Sequence, residues 1–175
     1  MSGVVPYGRP MSEQERSDLH STLAKHRELF RFTVQGLTDE QAAMTPTTSA
    51  LCLGGLIKHV GFVESGWVDF IVEGTQALVA SGGSYDAHSN SFRMLEGETL
   101  AGILAGYQEV TDRTDEVLSR VDLDLARPLP EAPWFEPGAS WTARRVFVHI
   151  VAETAQHAGH ADILRETIDG QKSMG

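Results

Sequence analysis

The chain has 175 residues, 41% apolar and 22% charged, a globular composition at a length that favours one domain. Its formal charge is −10, from 14 basic and 24 acidic residues, and no Lys/Arg cluster offsets it, which argues against nucleic acid as a partner. One cysteine, Cys52, excludes an internal disulfide.

Residues 1–11 hold two prolines and two glycines and read as an irregular arm without the basic and apolar regions of a signal peptide. No segment is long and apolar enough to span a bilayer, so no membrane partner is expected and the location is expected to be cytoplasmic. Ser12 to Glu15 fits a capping box. The helix it opens is expected to run to about Gln35, with Leu19, Leu23, His26, Leu29, Phe30 and Val34 on one face and Gly36 as a left-handed cap. Thr38 to Gln41 repeats the capping signature for a short turn of helix.

A second long helix is expected over about 50–73, after Pro46 and a Thr/Ser run. Residues 74–97 show little periodicity and read as a long loop. A third long helix follows over about 98–121. Its apolar side carries Leu100, Ile103, Leu104, Tyr107, Val110, Thr114, Val117 and Leu118. Four prolines interrupt 122–139, Ser140 reads as an N-cap, and a fourth long helix covers about 141–169 with Gly170 closing it. The tail at 171–175 is expected to fray. No stretch alternates, so no sheet is expected. The fold is all-α: a single domain over 1–175, a four-helix bundle with long loops between long helices two and three and between three and four.

The fourth long helix carries the chemistry. At 100° per residue, Val146, His149, Ile150, Glu153, His157, His160, Leu164 and Ile168 share one narrow face. Its ends are apolar and its middle is a run of ionisable groups, which burial without partners would penalise by several kcal/mol, that is ~2–7 for each polar group. A metal ion satisfies imidazoles and a carboxylate together. Glu153 and His157, at i and i+4, can reach one ion over bonds of about 2.0–2.2 Å. His160 lies one turn on, as a further ligand or a group that supports the ligands from behind. His149, one turn before Glu153, is placed to orient its carboxylate.

One helix cannot surround an ion. On the second long helix Cys52, Gly55, Leu56, His59, Phe62, Val63, Gly66 and Phe70 share a face, and His59 is the strong base among them. The expected site is therefore His59, Glu153 and His157, three ligands with positions left for water or substrate. An ion-paired helix face or a hydrogen-bonded core histidine would produce parts of the same pattern. His20, His26 and His88 lack partners at metal spacing and read as surface or packing residues. Cys52 reads as a small apolar filler, and Trp67, Trp134 and Trp141 as packing. Arg144, Arg145 and Arg165 are candidates to bind a substrate carboxylate, but read first as a solvated or ion-paired face. Val148, Val151, Ala155 and Ala158 form a second, small-residue face for another helix or subunit.

The segments Leu53-Gly-Gly-Leu-Ile-Lys-His59-Val and Val148-His-Ile-Val-Ala-Glu153-Thr-Ala-Gln-His157-Ala-Gly-His160-Ala-Asp-Ile-Leu-Arg165-Glu resemble the DinB-like superfamily, and more closely its actinobacterial branch. The resemblance spans nearly the whole chain. It implies a bundle, often dimeric, with a metal held by one His on helix two and two residues on the last long helix. Most members have His-x-x-x-His there; Glu153 in the first position is similar to the variant in mycothiol-dependent maleylpyruvate isomerase. That isomerase's additional substrate domain would not fit in this chain. The resemblance thus implies a divalent metal (Zn, Ni, Fe or Mn), a low-molecular-weight thiol such as mycothiol, a homodimer and a small-molecule substrate. The function expected is a metal-dependent thiol S-transferase or isomerase acting on a small electrophile. The alternative is a non-catalytic ligand-binding or stress-response protein whose metal is structural or absent.

Overall fold

A computed structural model describes residues 13–81 and 85–174. Its elements in chain order are α1 (Glu13–Phe32), α2 (Asp39–Ala43), α3 (Leu53–Glu73), α4 (Thr75–Ser81), α5 (Tyr85–Ser91), α6 (Leu100–Arg120), β1 (Ala126–Pro128), β2 (Ser140–Thr142) and α7 (Ala143–Asp169). The four long helices α1, α3, α6 and α7 make an all-α bundle, as expected. Helix α1 packs chiefly on α7, and α3 packs on both α6 and α7.

Local chemistry sets the ends of these helices. Thr38 and Gln41 form the full capping box of α2. The Thr99 hydroxyl accepts from Gly102 N–H at the start of α6, and Gly170 ends α7 in the left-handed conformation at φ 80°. The cap of α7 is Thr142, whose hydroxyl accepts from Arg145 N–H; Ser140, the expected cap, lies in β2. Helix α1 stops at Phe32, and tighter turns carry the chain to Gly36 at φ 75°. Arg165 is buried, not solvated: its guanidinium donates to the carbonyls of Thr33 and Gln35, each at 2.9 Å, where those end-of-helix acceptors need partners. It also pairs with Asp169. The tail expected to fray is bonded as far as Ser173, whose N–H donates to Asp162 at 2.6 Å. The expected Ser12 cap and the 1–11 arm lie outside the described residues.

Two other expectations need correction. A small antiparallel sheet exists, pairing Ala126 with Thr142, Arg127 with Trp141 and Pro128 with Ser140. Its strands are three residues each, too short to show alternation in sequence. The sheet pins the proline-rich segment to the start of α7, where Ala143 and Arg144 N–H groups donate to Leu125 and Leu123 carbonyls. The second correction concerns 74–97, which carries the short helices α4 and α5 against α3. Seven-residue helices draw stability from what they pack on, and so leave little periodic signal.

The buried apolar side chains form two clusters, one around Phe70, Leu118, Phe147 and Ile150, the other around Phe30, Leu56, Tyr107 and Leu164. Along every long helix the residues between the two clusters include buried polar ones: Arg27 on α1, Glu64 on α3, Thr111 and Thr114 on α6, Thr154 and His157 on α7. The bundle thus has a polar layer at mid-height.

Candidate metal centre

His59 and the Glu153/His157 pair face each other across the α3–α7 seam. One ligand atom from each of the three lies within 4.8 Å of the other two, the group of this kind found among the described residues. Glu153 Oε2 is 3.6 Å from His157 Nε2, close to the edge of a tetrahedron of donors with bonds of about 2.0–2.2 Å. The donor set, two imidazoles and a carboxylate, fits a divalent transition metal.

Hydrogen bonds behind the rings aim the lone pairs. The Ser91 hydroxyl donates its one proton to the His88 carbonyl at 2.6 Å, so at 2.9 Å it accepts from His59 Nδ1–H. That tautomer leaves His59 Nε2 as a free lone pair. His157 turns its Nδ1 toward His160 Nδ1 at 3.4 Å and its Nε2 toward Glu153. Glu153 presents its other oxygen, Oε1, to His149 Nε2 at 3.6 Å. His149 and His160 therefore flank the three converging residues without joining them.

Burial keeps these rings neutral. It pushes His59 down to about 3, with neighbouring His157 and His88 adding to the effect. His157 is lowered by burial first and by His160, against the opposing pull of Glu153. His149 is lowered in the same way by burial, with Arg145 adding and Glu153 opposing. Neutral imidazole is the form that binds metal.

The floor of the site depends on a glycine. A Cβ at Gly55 would overlap the Phe92 carbonyl, so the absence of a side chain lets the end of the α5 segment settle on α3. One turn later Phe92 stacks on His59, with ring centroids 3.6 Å apart and planes at 21°. Ser91 arrives with it.

Cys52 is buried at the N-cap of α3, with its thiol 3.7 Å from the Phe92 carbonyl and outside the converging group. Among the residues set aside by sequence, His88 lies beside the centre, its ring 5.4 Å from that of His59. Ser91, Phe92 and His88 were illegible as site residues because their segment has no periodicity, and only the tertiary fold brings it to α3. Arg144 is ion-paired with Glu15 and Asp124, as expected of that face. Arg145 lies over the Trp141 ring at 4.7 Å.

A family model described as mycothiol-S-transferase matches residues 18–170. The chain is similar in fold to a crystal structure described as the conserved protein of a locus from Enterococcus faecalis. That likeness has a TM-score of 0.66 and 13% identity, and covers 93% of this chain and 100% of the other. A search of curated proteins gives no match.

Proposed function

The chain belongs to the mycothiol-S-transferase family, a DinB-like family, and from that premise we propose that it is a metal-dependent enzyme joining a low-molecular-weight thiol such as mycothiol to a small electrophile. The observation that carries this reading is the convergence of His59, Glu153 and His157. His59 Nε2, His157 Nε2 and a Glu153 oxygen would hold a divalent ion, one of Zn, Ni, Fe or Mn. Such an ion, when bound, lowers the pKa of a coordinating thiol and supplies thiolate at neutral pH.

The chain's own groups do the rest. Ser91 and His160 keep both imidazoles turned with Nε2 inward, and His149 holds the Glu153 carboxylate between two rings. Phe92 walls off one face of His59 from water. In the overall transfer a sulfur–carbon bond forms, the bond from that carbon to its leaving group breaks, the leaving group takes the electron pair, and the thiol proton passes to solvent. A homodimer is part of this reading, to be measured by light scattering.

The test is conjugation of mycothiol to a reactive halide by protein reloaded with each metal in turn. A metal-dependent rate that disappears in His157→Ala is expected. Equal rates with and without metal, or from the His157→Ala variant, would contradict the reading.

A further inference from the structure

Beside the centre lies a cleft of about 480 Å³, within the size range of pockets that take small organic ligands. Phe62 and Trp67 of α3, Leu78 and Val79 of α4, and Trp134 and Phe135 of the proline-rich segment line it. Its walls continue into the metal centre at two points. His88 lines the cleft and meets His59 edge-on at 5.4 Å. Trp67 lines it too and meets His149 at 5.0 Å, and His149 in turn faces Glu153.

One wall of the cleft is fixed aromatic surface. Trp67 is 8% exposed and is stacked on Trp141, with centroids 4.8 Å apart and planes at 12°, and Arg145 caps that stack. Trp134, expected to pack, is instead 78% exposed, and Val79 is 53% exposed. Large apolar groups held in water around an apolar cleft mark a binding surface. Among the described residues Glu131 is the one formally charged side chain in the lining, and the chain as a whole carries −10. Both disfavour an anionic occupant.

We propose that this cleft binds uncharged aromatic molecules and is where the electrophile sits. The proposal rests on the transferase reading for the word electrophile, and on the cleft alone for the aromatic binding. Trp134 presents its exposed ring to a flat ligand, Trp67 backs the cleft from within the core, and the two shared walls bring the ligand's reactive carbon to the side of the bundle where the thiol would be held. A doubly charged acid such as maleylpyruvate is a poor match to this lining.

Two measurements on the full chain test it. The first is equilibrium dialysis with dinitrobenzene, which is flat, uncharged and unreactive toward thiols under mild conditions. Val79→Trp fills the cleft from an exposed position, and Trp134→Ala removes its exposed ring. Both are expected to weaken binding about tenfold, since one well-placed aromatic contact and its buried area are worth that much. The second compares chlorodinitrobenzene with chlorodinitrobenzoate as substrates of metal-loaded protein with mycothiol, each corrected for its uncatalysed rate. In both, sulfur displaces chloride, which leaves with the bonding pair while the thiol proton goes to solvent. The uncharged compound is expected to gain about tenfold more acceleration, and Val79→Trp to shrink that preference. Dinitrobenzene that fails to bind, or binds both variants as tightly as the parent, overturns the proposal. Binding that weakens in both variants without any conjugation keeps the aromatic site and removes the transferase reading. Conjugation that favours the carboxylate overturns the choice of electrophile and leaves that reading intact.

Discussion

Arg27, Glu64 and Asp115 meet where α1, α3 and α6 face one another, while His59, Glu153 and His157 meet between α3 and α7. Both groups put ionisable side chains in or beside the polar layer of the bundle. The first closes on itself: Arg27 pairs with Glu64 and, at 2.7 Å, with Asp115. Burial alone would lower the Arg27 pKa, but the two carboxylates outweigh it and raise it, so the guanidinium stays charged. The second group holds one carboxylate and two imidazoles that burial keeps neutral, with their free nitrogens turned toward a common space. The charges of the first are balanced within the chain, with Arg27 Nε and Glu64 Oε2 lacking a hydrogen-bond partner among the described residues. The second lacks a positive charge of its own, which is the condition under which a cation from outside becomes part of the fold.

That contrast can be broken from either side. Glu64→Ala leaves Arg27 buried with only Asp115, and should cost about 3–5 kcal/mol in a denaturant titration. Replacing Arg27 and Glu64 together with Met and Leu should recover most of that loss, because a buried pair is often near neutral against apolar residues. If the double variant is as unstable as the single one, the first group is not a self-compensated pair.

The metal side gives the next largest effect. At a free metal concentration about a hundredfold above Kd, binding should stabilise the protein by about 2.7 kcal/mol, seen as a rise in Tm. Glu153→Ala should abolish the rise, and Glu64→Ala should keep it despite its lower starting Tm. Gly55→Ala sharpens the link between the α5 segment and the centre. Its Cβ must displace the Phe92 backbone, at a cost of about 1–3 kcal/mol, and Ser91 moves with it. Metal affinity should fall along with stability, and unchanged affinity would show that the Ser91 bond does not orient His59.

The smallest effect is a pH slope in metal-free protein. His59 has its folded pKa lowered to about 3, against about 6.5 in an unfolded chain. Between those values the unfolded state binds more protons, so stability falls as pH falls from about 6.5. In His59→Phe, denaturant midpoints between pH 4 and 6 should show a shallower slope, by up to about one proton.

The four long helices were legible in sequence because each keeps an apolar stripe at helical spacing, and the convergence of Glu153 and His157 followed from the interruption of one such stripe. The same rule applies to Arg27, between Leu23 and Phe30, and to Glu64, between Val60 and Val68. A charge inside an apolar stripe was thus a signal for the ion group as well, though nothing in sequence says which partner each charge finds. Helix α4, helix α5 and the clip of β1 on β2 were not legible, since each is held by what it packs against. Ser91, Phe92 and His88 reach His59 through that same packing. The part of the site supplied by loops therefore emerged only with the fold.

Metal stoichiometry is the most direct test of a centre shared by His59, Glu153 and His157. Calorimetric titration of Zn²⁺ or Ni²⁺ into metal-free protein should give one ion per chain for the parent and for Glu64→Ala, and no site in His59→Ala, Glu153→Ala or His157→Ala. Full occupancy retained in those three variants would contradict it.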